Sequence, residues 1–229
     1  ALTAATTGVS NVAVGYNAAQ AITTGGNSVA VGTDSLRTCL TSSGNVAVGS
    51  TALRDTTAAY NTAVGLQALR YNTGGASNTS LGYYSMFLNT EGNYNVAIGH
   101  WALSANTTAH YNVAVGSQSL QSNTIGTNNV AVGTGALLDN TGYYAAANVT
   151  TGQLSCFMGQ YAGYEATEGD NNILLGKDSG RSTAPSGTVT TGGNVLCLGD
   201  NNILSFYCAD TSISSSDQRD KTDIENFTT

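Results

Sequence analysis

Charge is scarce in this chain, and what there is leans acidic: 7 Lys and Arg against 14 Asp and Glu in 229 residues, a formal net charge of −7. Without a basic surface on which a phosphate backbone can sit, nucleic acid is not an expected partner. No apolar run approaches the roughly 18 residues of a membrane span, so no membrane insertion is expected. The amino end carries no charged, apolar, small-residue signal pattern, and a chain that opens on Ala1 reads as a piece of something longer. Proline occurs once, at Pro185. The four cysteines (Cys39, Cys156, Cys197, Cys208) form no CxxC pair, and with only His100 and His110 to help them neither zinc nor any other metal is expected. Cys156 and Cys197 read as small buried hydrophobes in strands, while a Cys197–Cys208 disulfide is left open by spacing alone. No paired carboxylates stand at a glycosidase spacing, and no cofactor motif is present. The Asp-Asn pairs at Asp139, Asp170 and Asp200 read as turns rather than calcium sites.

What fills the chain is Gly, Ala, Ser, Thr and Asn, with a hydrophobic fraction of 41% made largely of Ala and Val. That composition has too few bulky side chains for a thick core and too much regularity for disorder, which leaves thin, repetitive burial. A repeat supplies it. Aligned on the glycine of "NVAVG", the chain gives Gly15, Gly32, Gly49, Gly65, Gly82, Gly99, Gly116, Gly133, Gly159, Gly176 and Gly199, mostly 17 residues apart, with longer intervals of 26 and 23 after Gly133 and Gly176.

Each column of the repeat has a physical meaning. Four residues before the glycine stands Asn in most coils (Asn11, Asn45, Asn61, Asn78, Asn95, Asn112, Asn129, Asn172), placed to stack its amides in a hydrogen-bonded ladder. Branched residues three and one before the glycine, with alanine between them, give the period of two of a strand with a Val face and an Ala face. The glycine (Gly15, Gly32, Gly49, Gly65, Gly82, Gly99, Gly116, Gly133) closes the corner with positive φ. A small residue and then a Leu-like one follow, as in Ala52-Leu53 and Ala102-Leu103, and imply a second short strand whose Leu meets the Val face inside the roll. "NTTG"-like turns return the chain to the next level. The expected fold is all-β, a parallel β-roll or β-solenoid of about 17-residue coils, eleven of which span on the order of 50 Å at the spacing of paired strands. An exposed alanine column (Ala13, Ala30, Ala47, Ala63, Ala97, Ala114, Ala131) suits close approach by another backbone and is therefore expected to be a subunit interface.

The "NVAVG" and "NSVAVG" strings with a trailing "xxAL" resemble the head repeats of trimeric autotransporter adhesins over residues 8–200, with a longer coil than the adhesin repeat. That resemblance implies a homotrimer. The closing string "SSDQRDKTDI" resembles the junction in phage tail fibres and tailspikes to an endosialidase-type intramolecular chaperone, which promotes trimer folding and then cuts itself off. Carried over by position, the resemblance puts Ser216 as the cleavage serine, Ser216–Asp217 as the scissile bond and Lys221 as the lysine of a Ser-Lys dyad, active only in a longer precursor. The organisation expected is regular repeats over 1–138, irregular repeats with insertions over 139–200, stem strands over 201–216 and the start of a chaperone domain over 217–229. Together these imply a structural fibre protein, virion-borne or extracellular, that binds a cell-surface receptor or glycan. Trp101, Tyr143, Tyr144, Tyr161 and Tyr164 are candidates to stack on sugars. A bacterial adhesin head, an end-to-end filament subunit and a self-cleaving precursor are the alternatives.

Overall fold

The computed structural model describes residues 1–4, 6–137, 155–164, 171–180 and 193–199. It is an all-β solenoid with one three-residue strand per coil: β1 (Val12–Val14), β2 (Val29–Val31), β3 (Val46–Val48), β4 (Thr62–Val64), β5 (Thr79–Leu81), β6 (Val96–Ile98), β7 (Val113–Val115), β8 (Val130–Val132), β9 (Cys156–Met158), β10 (Ile173–Leu175) and β11 (Leu196–Leu198). All eleven lie in chain order in a single parallel sheet. Register is kept column by column, Val12 opposite Val29, Ala13 opposite Ala30, Val14 opposite Val31, and the sheet carries through both long intervals, with Ala131 opposite Phe157 and Leu174 opposite Cys197.

The corner glycines follow the expectation, and their neighbours explain why no other residue serves. From Gly15 to Gly159 their φ lies between 127° and 139°. A Cβ on Gly65 would stand 2.5 Å from the carbonyl oxygen of Gly82, and one on Gly15 would stand 2.7 Å from that of Gly32. Backbone stacks on backbone here with no room for a side chain.

The second strand expected at the small-Leu pair is not present. Two residues per coil in that stretch take left-handed backbone angles, as Asp34 (φ 54°) and Leu36 (φ 49°), Thr51 (55°) and Leu53 (47°), and Trp101 (58°) and Leu103 (51°) do. A leucine in this conformation is costly on its own. It is held by complete burial of the side chain and by hydrogen bonds to the next coil: Leu36 N–H to Ala52 O at 3.0 Å, Leu53 N–H to Ala68 O at 3.0 Å, Leu103 N–H to Ser119 O at 2.9 Å. The segment is a run of tight turns bonded coil to coil.

The two faces of the strand are also the reverse of the expectation. Ala30, Ala47, Ala63, Ala97, Ala114 and Ala131 are fully buried inside the single chain, so this column is core and not a subunit surface; only Ala13, in the first strand, is partly exposed. Leu36, Leu53, Leu69, Met86, Leu103, Leu120 and Leu137 share that core with them, while the branched residues on either side of each alanine point outward. The coil is so thin that one leucine and two small side chains fill its cross-section, so a Val on the inner face would overpack it.

Later coils keep the volume by exchanging sizes. Phe157 and Leu174 replace alanine on the strand, and the Leu positions opposite become Gly163 (φ 63°) and Gly180 (φ 76°). A Cβ on Gly163 would strike the Phe157 ring. In β5 the swap is polar: Ser80 Oγ and Ser85 Oγ lie 2.5 Å apart in the core, and Ser85 Oγ reaches the Gly82 carbonyl at 3.0 Å, so both buried hydroxyls have partners.

Candidate functional site

The asparagine ladder forms as expected. The Oδ1 of each residue accepts the backbone N–H of its counterpart one coil on: Asn45 from Asn61 at 2.9 Å, Asn61 from Asn78 at 3.0 Å, Asn78 from Asn95, Asn95 from Asn112 and Asn112 from Asn129 at 2.9 Å. The Nδ2 donates forward to a carbonyl, Gly75 O from Asn61 at 2.9 Å, Gly92 O from Asn78 at 2.7 Å and Ala109 O from Asn95 at 2.8 Å. A second ladder, Asn72–Asn89–Asn106–Asn123, runs beside the first with Nδ2-to-Oδ1 distances of 2.7, 2.6 and 3.3 Å. Its amides donate to the same carbonyls, Asn72 to Gly75 O at 2.6 Å and Asn89 to Gly92 O at 3.0 Å. Each such oxygen thus uses both lone pairs, one on each ladder, and a fully buried polar spine is satisfied throughout. Sequence reading missed the second ladder because its column changes character, from Ile22 and Cys39 through Thr56 to asparagine; the "NTTG" motif that contained it read as turn chemistry. Cys39 is buried, and burial pushes its thiol up from its ordinary value despite hydrogen bonding to Ser42, so it is an unreactive member of this column.

Two surfaces lie outside this scaffold. The outward face of the sheet is apolar but for Thr62 and Thr79, with Val64 37%, Leu81 38%, Ile98 39% and Met158 48% exposed. Aromatic rings gather on the turn side of the neighbouring coils. Tyr84 stacks on Trp101 (centroids 5.1 Å, planes 6° apart), Tyr83 stacks on His100 (5.3 Å, 12°), and Tyr84 also leans on Phe87 at 4.6 Å. Phe87 meets the Tyr71 ring edge-on at 5.0 Å, and the Arg70 guanidinium lies over Tyr71 at 4.9 Å. Desolvation, with hydrogen bonding and like charge from Tyr84 behind it, pushes the Tyr83 phenol up. The one-coil stacking arises because residues 17 apart sit directly above one another, so an aromatic repeated in one column stacks of necessity. Tyr94 and Tyr111 do the same beside the sheet, with parallel planes 5.2 Å apart.

Of the expected sugar-stacking residues, Trp101 belongs to this cluster, and Tyr161 and Tyr164 form an edge-on pair at 5.6 Å. Tyr143 and Tyr144 lie outside the described residues, as do Ser216, Asp217, Lys221 and Cys208; Cys197 is buried. Among the described residues no group of three His, Cys, Asp or Glu is placed to hold a metal ion, and no helix is long and apolar enough to cross a membrane.

Stacked coils, axial amide ladders and a thin closed core define a β-solenoid, a fold consistent with a fibre-like structural protein. No family model, curated protein or solved structure matches the chain.

Proposed function

We propose that this protein is a structural attachment protein, a trimeric β-solenoid segment of a phage or phage-like tail fibre that works outside the cell. The observation that carries the reading is the apolar outer face of the sheet, interrupted only by Thr62 and Thr79 among the described strands, from Val12 and Val14 through Leu81 and Ile98 to Met158 and Leu196. A scaffold whose amide ladders are satisfied internally has no need of such a face, and patches of that extent mark association surfaces. Three copies about a threefold axis would bring these faces together and cover them with closed symmetry. The interface therefore moves from the alanines to the branched residues that flank them. Loops, turns and the rings around Trp101 stay outside and are the surfaces left for recognition.

The resemblance of the repeats to trimeric adhesin heads and of "SSDQRDKTDI" to a fibre-chaperone junction supports the same reading. Light scattering on the purified chain tests it: three times the chain mass is expected, and a monomer would sink the trimer. The chaperone junction has a separate test in the denatured mass of protein made from the complete gene. Wild type ending at Ser216, with a Ser216→Ala version staying long, is the expected result. If both stay long, Ser216 and Lys221 do no cutting.

A further inference from the structure

On the turn side of the roll, five residues after the corner glycine, one column reads Gln20, Arg37, Arg54, Arg70, Phe87, Ser104, Gln121. Three of the chain's seven basic residues therefore stack on consecutive coils of an acidic molecule. Two of them are answered locally: Arg37 Nη1 stands 3.7 Å from Asp34 Oδ1, and Arg54 Nε donates to Asp55 Oδ1 at 3.0 Å. Arg70 is different. Its Nη1 donates to Gln67 Oε1 at 3.1 Å, its Nε is buried with no hydrogen-bond partner, and among the described residues no carboxylate pairs with it.

Arg70 stands at the edge of the aromatic cluster through Tyr71, whose ring meets Phe87. Phe87 and Trp101 in turn wall an open depression of about 370 Å³, completed by Leu88, Ser104, Gln121 and Ser122. One stripe of surface thus offers, in order, a cation with no carboxylate partner among the described residues, a flat apolar platform and a rim of amide and hydroxyl groups.

We infer that this stripe is a binding site for an acidic glycan, in which a carboxylated sugar sets its carboxylate on Arg70 and the C–H face of its chain on Phe87 and Trp101. A guanidinium without an acidic partner matches a carboxylate in charge and shape. Aromatic faces take the apolar side of a pyranose, and Gln121 and Ser122 can exchange hydrogen bonds with its hydroxyls. In a molecule of net charge −7, general attraction for anions is absent, so an acidic sugar is held only where a local cation meets a shaped surface. The inference deepens the attachment reading and rests on it for its biological sense, but binding is a property of the chain surface and is measured independently of assembly.

The test uses the full chain on an array of immobilised uronate- and sialate-bearing oligosaccharides, each beside its own methyl ester, with light scattering on the same samples. At least one acidic glycan is expected to bind, with its ester at least tenfold weaker. Arg70→Gln and Gln121→Ala should each weaken binding about tenfold, Trp101→Ala should abolish it, and Arg37→Gln should leave it unchanged, all four variants melting as wild type does. Absence of binding to every acidic member overturns the inference, as does equal binding of acid and ester or indifference to Arg70→Gln. A monomer that still binds would remove the trimer and leave the site; a trimer that binds nothing would do the opposite.

Discussion

Gly65 and Asn95 show how little freedom single residues have in this fold. At Gly65, φ is 133° and the space for a Cβ is taken by the carbonyl of the next corner. Gly65→Ala combines backbone strain with a clash against main chain, and a loss of about 3 kcal/mol in unfolding free energy is expected in denaturant melts. Asn95 uses both ends of its amide, Oδ1 on Asn112 N–H and Nδ2 on Ala109 O. Asn95→Asp keeps the shape but turns two donors into a carboxylate facing a carbonyl oxygen in a fully buried place. Burial raises that carboxyl's pKa in the folded chain above its unfolded value of about 3.9. The folded state then binds the proton more tightly, so the variant comes nearest to wild type below pH ~4 and loses stability as pH rises through the folded pKa. Thermal melts across pH 3 to 8, wild type against variant, check the sign; a gap that narrows as pH rises would refute it.

At the scale of one coil, sequence periodicity was a good guide to what repeats and a poor one to which way it faces. The strand, the corner glycine and the first asparagine ladder were legible because each is enforced in most coils by the same contact with its neighbour. Orientation was not, since Val-Ala-Val alternation marks two faces without saying which is inside, and the greater apolarity of valine argued for the wrong one. The answer lies in thickness: with Leu53 filling one side of the coil, only Ala47 or Ala63 fits across from it. The missing second strand has a similar origin. Leu53 at φ 47° defies local propensity, and the bonds that hold it come from other coils, which a window of sequence cannot show. The Phe157–Gly163 exchange joins two columns that sequence does not show to face each other, since the ring fills the space that a Cβ on Gly163 would take. Because each coil contacts only its neighbours, removal of residues 33–49, one whole period, should leave a folded solenoid with its β circular dichroism and a slightly lower Tm. Removal of residues 33–40 leaves one coil too short to go round the cross-section while later coils keep their own register, so a much larger fall in Tm than for the whole period is expected.

The molecule as a whole is a stack with one side finished and one side apolar. Val113 and Val115 lie mid-stack on the open side, in register with Val96 and Ile98. Val113→Lys combined with Val115→Lys places two charges on the proposed contact surface without touching the core. Monomers with unchanged circular dichroism, in place of trimers, are expected in sedimentation velocity; trimers that survive would move the interface elsewhere.

The bonds between coils, in the sheet, the corners and the ladders alike, run along one axis. A pull between the two ends therefore falls on every coil boundary with the same force, as on the links of a chain, and no boundary relieves another. From Asn72 to Asn123 each boundary is tied by two amide ladders. Nearer the amino end, Ile22 and Cys39 stand in one ladder and Ser28 interrupts the other, whose serine hydroxyl accepts the Asn45 N–H at a longer 3.2 Å. The Asn172 N–H meets the hydroxyl of Ser155 at the same 3.2 Å, so under tension the boundaries at the serines yield before the doubly tied middle of the shaft.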